Sequence, residues 1–326
     1  MKTKVFMTMA ALALMATGCN NEDEMDNWNG EIRLTSGIEV QTRATHNLDE
    51  SLKNGETVHV WVDDAKTPTS SVTKENLYEN NQLTKIEGGA LTSGTTMYFP
   101  KTGNSVNIFA LHTNATLADN TFPVSQLTHT VATNQKSTDN NNGYAKSDLV
   151  YAKSTEVVRT SNTVNLTFNH LLSKVEVILK EGDGATGFLT NLNSLKIMNT
   201  KPNAQFTLTK DGPSYGYNTE HQDGIAILAG GDVTEISIDK DVTTETNNIL
   251  NEAIIVPQTL AAATPFIQIK LSAGGVFTYK LESETNFESG KKYTYTITVN
   301  QTGLTVTSSI TDWTVGGTAN GTATMD

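Results

Sequence analysis

The sequence predicts an all-β protein made of two antiparallel β-sandwich domains in tandem. Three observations predict it. Short runs in which apolar and polar residues alternate recur along the chain, joined by turn-rich connections. Thr and Asn are prominent among the polar residues, and both suit strands and turns better than helices. No segment carries the sustained apolar period of a long amphipathic helix. The chain has 326 residues, 37% hydrophobic and 18% charged. That is enough apolar material for packed cores and too little charge for wholesale disorder. One sandwich of this length would be large, so two are expected.

The first element is a processing segment that stands apart from the fold. Lys2 and Lys4 lead into a mostly apolar run, 5–17, too short to span a bilayer as a stable helix. It ends in Ala16-Thr17-Gly18-Cys19, small residues before a cysteine, the pattern a lipoprotein signal peptidase accepts. Cys19 is the only cysteine in the chain. Its position accounts for it: the thiol is lipidated and becomes the first residue of the mature protein, attached to a membrane by that lipid. Residues 1–18 therefore read as a signal peptide and 19–43 as a lipidated propeptide. With one cysteine no disulfide forms, and stability must come from core burial. Losing 1–18 removes two lysines and no acid, moving the formal charge from −12 to −14. So acidic a surface binds nucleic acid poorly, and no nucleic-acid partner is expected.

The next element decides the functional reading. In Ile32-Arg33-Leu34-Thr35-Ser36-Gly37-Ile38-Glu39-Val40, the residues Ile32, Leu34, Ser36, Ile38 and Val40 share one face of an extended strand. Thr42-Arg43-Ala44 follows at once. Arg43 suits a trypsin-like protease, because flexible polar segments are where chains are cut. A strand that completes a sandwich and precedes a cleavage site can leave after the cut. Its departure opens an apolar groove and unpairs neighbouring strand edges. The four aliphatic side chains Ile32, Leu34, Ile38 and Val40 would expose surface worth roughly 6–12 kcal/mol, an upper bound. A strand inserted by another subunit would recover it.

Strands then follow at 57–62, with Val58, Val60 and Val62 on one face, at 106–111, at 148–152 and at 164–168. A second group covers 175–179, 267–271, 276–281 and 293–299, with Ser272-Ala273-Gly274-Gly275 as a hairpin turn. Short helical turns are expected near 47–52 and 74–78, and polar or glycine-rich mobile loops at 135–143 and 182–187. The joint between domains falls near His170, giving an N-terminal sandwich at 44–170 and a C-terminal one at 171–326. At the end of the chain Leu304, Val306, Ser308 and Ile310 share one face, in the same order as Ile32, Leu34, Ser36 and Ile38.

No enzyme constellation emerges, and no cofactor or metal is expected. The six histidines, His46, His59, His112, His129, His170 and His221, show no metal-protease spacing. His59 and His112 read as structural, and His170 as a packing or hydrogen-bonding group at the joint. There is no G-x-S-x-G. Asp139-Asn140-Asn141-Asn142-Gly143 lacks the terminal Glu of a calcium loop and reads as a polar turn. Trp61 and Trp313 could stack on sugars if exposed, although their strand contexts favour the core or its rim.

Several stretches resemble the fimbrillins, the major and minor fimbrial subunit lipoproteins of Bacteroidota that build type V pili. They are Phe168-Asn169-His170-Leu171-Leu172-Ser173-Lys174-Val175, Ile255-Val256-Pro257-Gln258-Thr259, and Phe287-Glu288-Ser289-Gly290-Lys291-Lys292-Tyr293-Thr294-Tyr295 running on to Ile310-Thr311-Asp312-Trp313. Tyr98-Phe99-Pro100 and Asp148-Leu149-Val150-Tyr151-Ala152 are weaker pieces. The resemblance implies two transthyretin-like sandwiches. It implies an outer-membrane lipoprotein precursor that becomes part of a cell-surface fimbrium. Glu22-Asp23-Glu24 resembles the acidic surface-export signal of such lipoproteins. It further implies lipid on Cys19, an arginine-specific protease cutting Arg43–Ala44, removal of 32–40, and strand exchange with other pilus subunits. One departure stands out. Residues 316–326 are rich in Gly, Thr and Ala and would make a weak donor. Leu304, Val306 and Ile310 thus stand as a candidate donor or as the last core strand, and stalk and tip or accessory roles both remain open. The alternative is a surface glycan-binding lipoprotein of a polysaccharide-uptake system, which has no need of a strand followed by an arginine site.

Overall fold

The computed structural model describes residues 28–38, 52, 54–65, 76–117, 124–187, 189–208, 225–240, 251–272, 275–313 and 319–323. The chain is all-β. Its first strands are β1 (Leu34–Ile38), β2 (Thr57–Asp64), β3 (Asn76–Lys85), β4 (Ala90–Thr92), β5 (Val106–His112), β6 (Val124–Thr130), β7 (Val150–Val157) and β8 (Val164–His170). All but β6 form a hydrogen-bonded ring in the order β1-β4-β3-β2-β5-β7-β8, with β1 joining the two ends. The expected helical turn at 74–78 is absent in its described part, because Asn76 already begins β3.

The ring encloses Val58, Val60 and Val62 from β2, as the alternation predicts, with Ile108 and Ala110 from β5, Ala152 from β7, and Leu166 and Phe168 from β8. The opposite face of the same wall is also buried. Trp61, Phe109, Leu111 and Tyr151 point outward from the ring into a second, larger core. This double burial explains the near-continuous apolar run of β5, which a one-sided strand would not need.

The remaining strands are β9 (Ser173–Glu181), β10 (Leu192–Thr200), β11 (Asn203–Leu208), β12 (Ile225–Gly230), β13 (Thr234–Ile238), β14 (Asn251–Ile255), β15 (Gln258–Leu260), β16 (Pro265–Leu271), β17 (Val276–Lys280), β18 (Thr285–Phe287), β19 (Lys291–Asn300), β20 (Gly303–Asp312) and β21 (Ala319–Ala323). They make sheets in the orders β14-β9-β19-β20-β21 and β13-β10-β16-β17, with the small pair β15-β18. The third strand of the β12-β11-β6 sheet comes from before His170, so backbone pairing crosses that point in the chain. Val175, Val177, Ile197, Ile269, Tyr295 and Val306 fill the space between.

The segment 131–149 ties the halves together, where the sequence suggests a mobile loop at 135–143. Gln135 is fully buried. Its side-chain amide accepts the N–H of Ile254 at 2.7 Å and donates to the Ile254 carbonyl at 2.9 Å. It thereby satisfies the outer edge of β14 as a strand would. Asp139 accepts the amides of Asn141 and Gly143, closing a polar turn as expected. A single helical turn, α1 (Gly143–Lys146), follows and carries the buried Tyr144.

Three of the sequence stretches that carry the family resemblance meet where the halves join. His170 stacks flat on Trp313, ring centres 3.8 Å apart, and its Nδ1–H donates to Asp148 at 2.9 Å. The Ser173 hydroxyl donates to the Glu288 carbonyl, and the Ser289 hydroxyl to that of Leu171. The Gly290 N–H donates to Leu172, and the Trp313 N–H to Gly290. Residues more than a hundred positions apart are thus fixed by mutual hydrogen bonds around the buried His170–Trp313 pair.

Candidate functional site

The candidate site is the slot that β1 occupies. Its own sequence builds it: extended, alternating residues with Ser36 among the aliphatics. Ile32 and Leu34 are buried in the ring core and Ser36 is buried beside them. The strand lies parallel to β8 over its whole length, from Leu34 opposite Val164 to Ile38 opposite Phe168. On its other edge it is antiparallel to β4, with Leu34 opposite Leu91 and Thr35 opposite Ala90. The Val164 N–H donates to the Arg33 carbonyl at 2.8 Å. Before the strand proper, the Ile32 N–H donates to Met97 and the Phe99 N–H to Gly30.

Two consequences follow from this pairing. Without β1 the ring is an open sheet ending in β4 and β8, each with an unpaired edge. β8 is then held to its other neighbour, β7, only near its end, at Val150–His170 and Tyr151–Asn169. The two described aliphatics would expose surface worth about 3–6 kcal/mol, an upper bound. Gly89 fits the slot closely. At φ +88° it adopts a backbone that favours glycine, and a Cβ there would sit 3.1 Å from the Thr35 hydroxyl. The Ser36 hydroxyl donates to its carbonyl at 3.2 Å.

Of the predicted site residues, Cys19, Val40, Arg43 and Ala44 lie outside the described residues, as does the side chain of Ile38. Leu304 and Val306 are buried and Ile310 is 45% exposed. All three belong to β20, which sits inside its sheet. It pairs with β19 from Lys291–Asp312 to Asn300–Gly303, and with β21 on its other edge. Leu304 and Val306 therefore serve the C-terminal core here. Trp61 and Trp313 are each 1% exposed, so neither presents a face to a sugar.

The four described histidines are structural, and His46 and His221 lie outside the described residues. The ring nitrogen Nδ1 of His59 meets Asn80 at 2.6 Å, and that of His112 meets the Thr57 carbonyl at 2.8 Å. His129 is the most constrained. Its Nε2–H donates to the Ser147 carbonyl, while Nδ1 accepts the Thr113 hydroxyl and the Asn114 N–H. Burial pulls its pKa down to about 4 against the opposing pull of that carbonyl, so the ring is neutral. Among the described residues no cluster of three or more His, Cys, Asp or Glu could hold a metal ion.

Sequence reasoning missed one feature beside the slot. Trp28 packs edge-on against Phe99, and the Arg159 guanidinium lies 4.8 Å above the Trp28 ring. The signal was present but weak: a tryptophan two residues before a glycine, ahead of an alternating strand.

The family model described as fimbrillin-like matches residues 42–313. The chain belongs to the fimbrillin-like family. Fimbrillin-like proteins are structural pilus proteins and not enzymes. The chain is 26% identical to a Bacteroides uniformis protein named "Putative fimbrium subunit Fim1C", over 97% of each chain. The crystal structure of a "putative cell adhesion protein" from Bacteroides uniformis superposes with a TM-score of 0.57 at 21% identity, over 87% of this chain and 98% of the other. One of the same description from Bacteroides ovatus gives 0.59 at 18% identity, over 88% and 99%. At these identities the structural likeness is one of fold.

Proposed function

We propose that this fimbrillin-like chain is a structural subunit of a cell-surface pilus, stalk or tip or accessory, that assembles by strand exchange and contributes to adhesion. The observation that carries the reading is the place of β1, a single strand bridging the two ends of an otherwise open sheet. A slot with a parallel edge on one side and an antiparallel edge on the other can be refilled by any extended chain of matching pattern. In this reading each half is a transthyretin-like sandwich. The precursor is an outer-membrane lipoprotein held by lipid on Cys19. An arginine-specific protease cuts between Arg43 and Ala44, β1 leaves with the lipid, and a strand from another subunit takes the slot. Two observations support it: the family match begins at residue 42, beyond β1, and the neighbour in sequence bears a fimbrium-subunit name.

The test is limited trypsin treatment of protein lacking residues 1–18. A clean cut after Arg43 should be followed by SDS-resistant ladders or by uptake of a donor peptide. The Arg43→Ala protein should fold with an unchanged circular-dichroism spectrum and stay monomeric. Normal polymerisation of Arg43→Ala would falsify the processing step.

A further inference from the structure

The ring-closing strand is anchored before it reaches the ring, and the anchor has a chemistry of its own. Trp28 lies half-buried between the Phe99 ring, centroids 6.3 Å away, and the Arg159 guanidinium above it. Its indole N–H donates to the Glu31 carbonyl at 3.0 Å, which curls the chain over Gly30. Gly30 has φ +92°, and a Cβ on it would lie 2.6–2.9 Å from the Arg159 guanidinium. The backbone therefore favours glycine here, and a side chain would in addition have to displace the exposed Arg159 guanidinium. Beyond Gly30, Glu31 bridges to Tyr98. Beside the anchor, Asn29, Tyr98, Phe99, Lys101 and Arg159 line an open cleft of about 520 Å³.

We propose that this Arg159–Phe99 shelf is a recognition pocket at the end of the strand slot, selective for a chain that places a flat aromatic side chain two residues before a glycine. The intact chain satisfies it with its own Trp28 and Gly30. The inference rests on the strand-exchange reading: once the N-terminal segment leaves, the shelf is open to the incoming strand. The partner it fits is a subunit whose donor carries aromatic-x-Gly just before its alternating residues. Within this sequence Trp-x-Gly occurs only at 28–30. Residues 313–323, with Trp313 three positions before Gly316, do not match the spacing. The shelf thus favours a different subunit over a second copy of this chain offering that tail. Arg159 can stack on an aromatic face because its guanidinium is planar and permanently charged, while the glycine supplies the φ of +92° that turns the chain beneath it.

Two measurements test it. The first uses the uncut chain and follows amide exchange of Ile32, whose N–H is bonded to Met97. Trp28→Ala and Gly30→Ala should each speed that exchange about tenfold. Arg159→Ala should speed it about two- to fivefold. Arg159→Ala should add nothing to Trp28→Ala. Unchanged exchange in the single variants overturns the proposal. The second uses chain cut after Arg43 and freed of its N-terminal fragment, titrated with a synthetic peptide of residues 26–40. The Trp28→Ala and Gly30→Ala peptides should bind about tenfold more weakly than the natural one. Equal binding by all three refutes the selectivity of the shelf and leaves strand exchange standing. No binding by any of them refutes strand exchange itself, and the proposal falls with it.

Discussion

The slot of β1 and the joint around His170 are both places where distant parts of the chain meet, yet they are held differently. At the joint, serine hydroxyls, a glycine amide and a stacked histidine–tryptophan pair interleave 168–175, 287–295 and Trp313, and each segment continues into strands on both sides. No one segment can leave without breaking the others. In the slot, one strand is held by backbone bonds on its two edges, by a few aliphatic side chains and by a single side-chain hydrogen bond from Ser36 to Gly89. Both regions contain a parallel pair, β1 with β8 and β9 with β19, so strand direction is not the difference. The difference is how many side chains cross-link the strand to its surroundings: one hydroxyl, that of Ser36, in the slot, and two hydroxyls and a stacked ring pair at the joint.

Substitutions in the two regions should differ in size and in reach. The largest effect is expected at the joint. Trp313→Ala leaves a cavity against His170 and should cost about 3–5 kcal/mol in global stability, read from the denaturation midpoint. A change confined to local exchange, with the midpoint unmoved, would put the joint in the same class as the slot.

Acid should act next. The His129 pKa of about 4 in the fold lies below its ordinary value of 6.5. Between these values the unfolded chain binds the extra proton. Its contribution is therefore complete above about pH 6.5 and is lost as pH falls toward 4. The loss is on the order of 3 kcal/mol. Unfolding free energies measured from pH 7 to pH 4 should show this slope, and His129→Gln should flatten it. An unchanged slope in the variant would remove His129 from the account.

Smaller effects are expected in the slot. Gly89→Ala forces a side chain into a left-handed backbone and against Thr35, at about 1–2 kcal/mol. It should speed amide exchange in β1 and β8 while leaving β19 and β20 protected. Ser36→Ala removes one hydrogen bond to Gly89 and should cost about 0.5–1.5 kcal/mol, read the same way. If either substitution deprotects β19 as much as β1, the slot is not an independent unit.

Much of the fold is legible in the sequence where strands alternate cleanly. β2, β8, β16 and β19 appear within a few residues of where the pattern puts them. Others are hidden for identifiable reasons. In β10 the buried residues Leu192, Leu195 and Ile197 are not evenly spaced, because the register shifts between Leu192 and Ser194. β3 is mostly polar, and Asn80 at φ +45° interrupts it. Gln135 gives no sign in the sequence that its amide will stand in for a strand backbone.

Local features are written in the residues alone: the period of two that makes strands, the glycines at turns, and an apolar strand placed ahead of Arg43. Partners were decided only by tertiary structure. That β1 lies parallel to β8 and that Trp28 meets Arg159 depend on segments more than a hundred residues apart, whereas β20 pairs with its sequence neighbours β19 and β21. Alternation fixes which face of a strand is apolar, but every apolar face in the chain satisfies that condition equally. Only the simultaneous packing of all of them selects the neighbours.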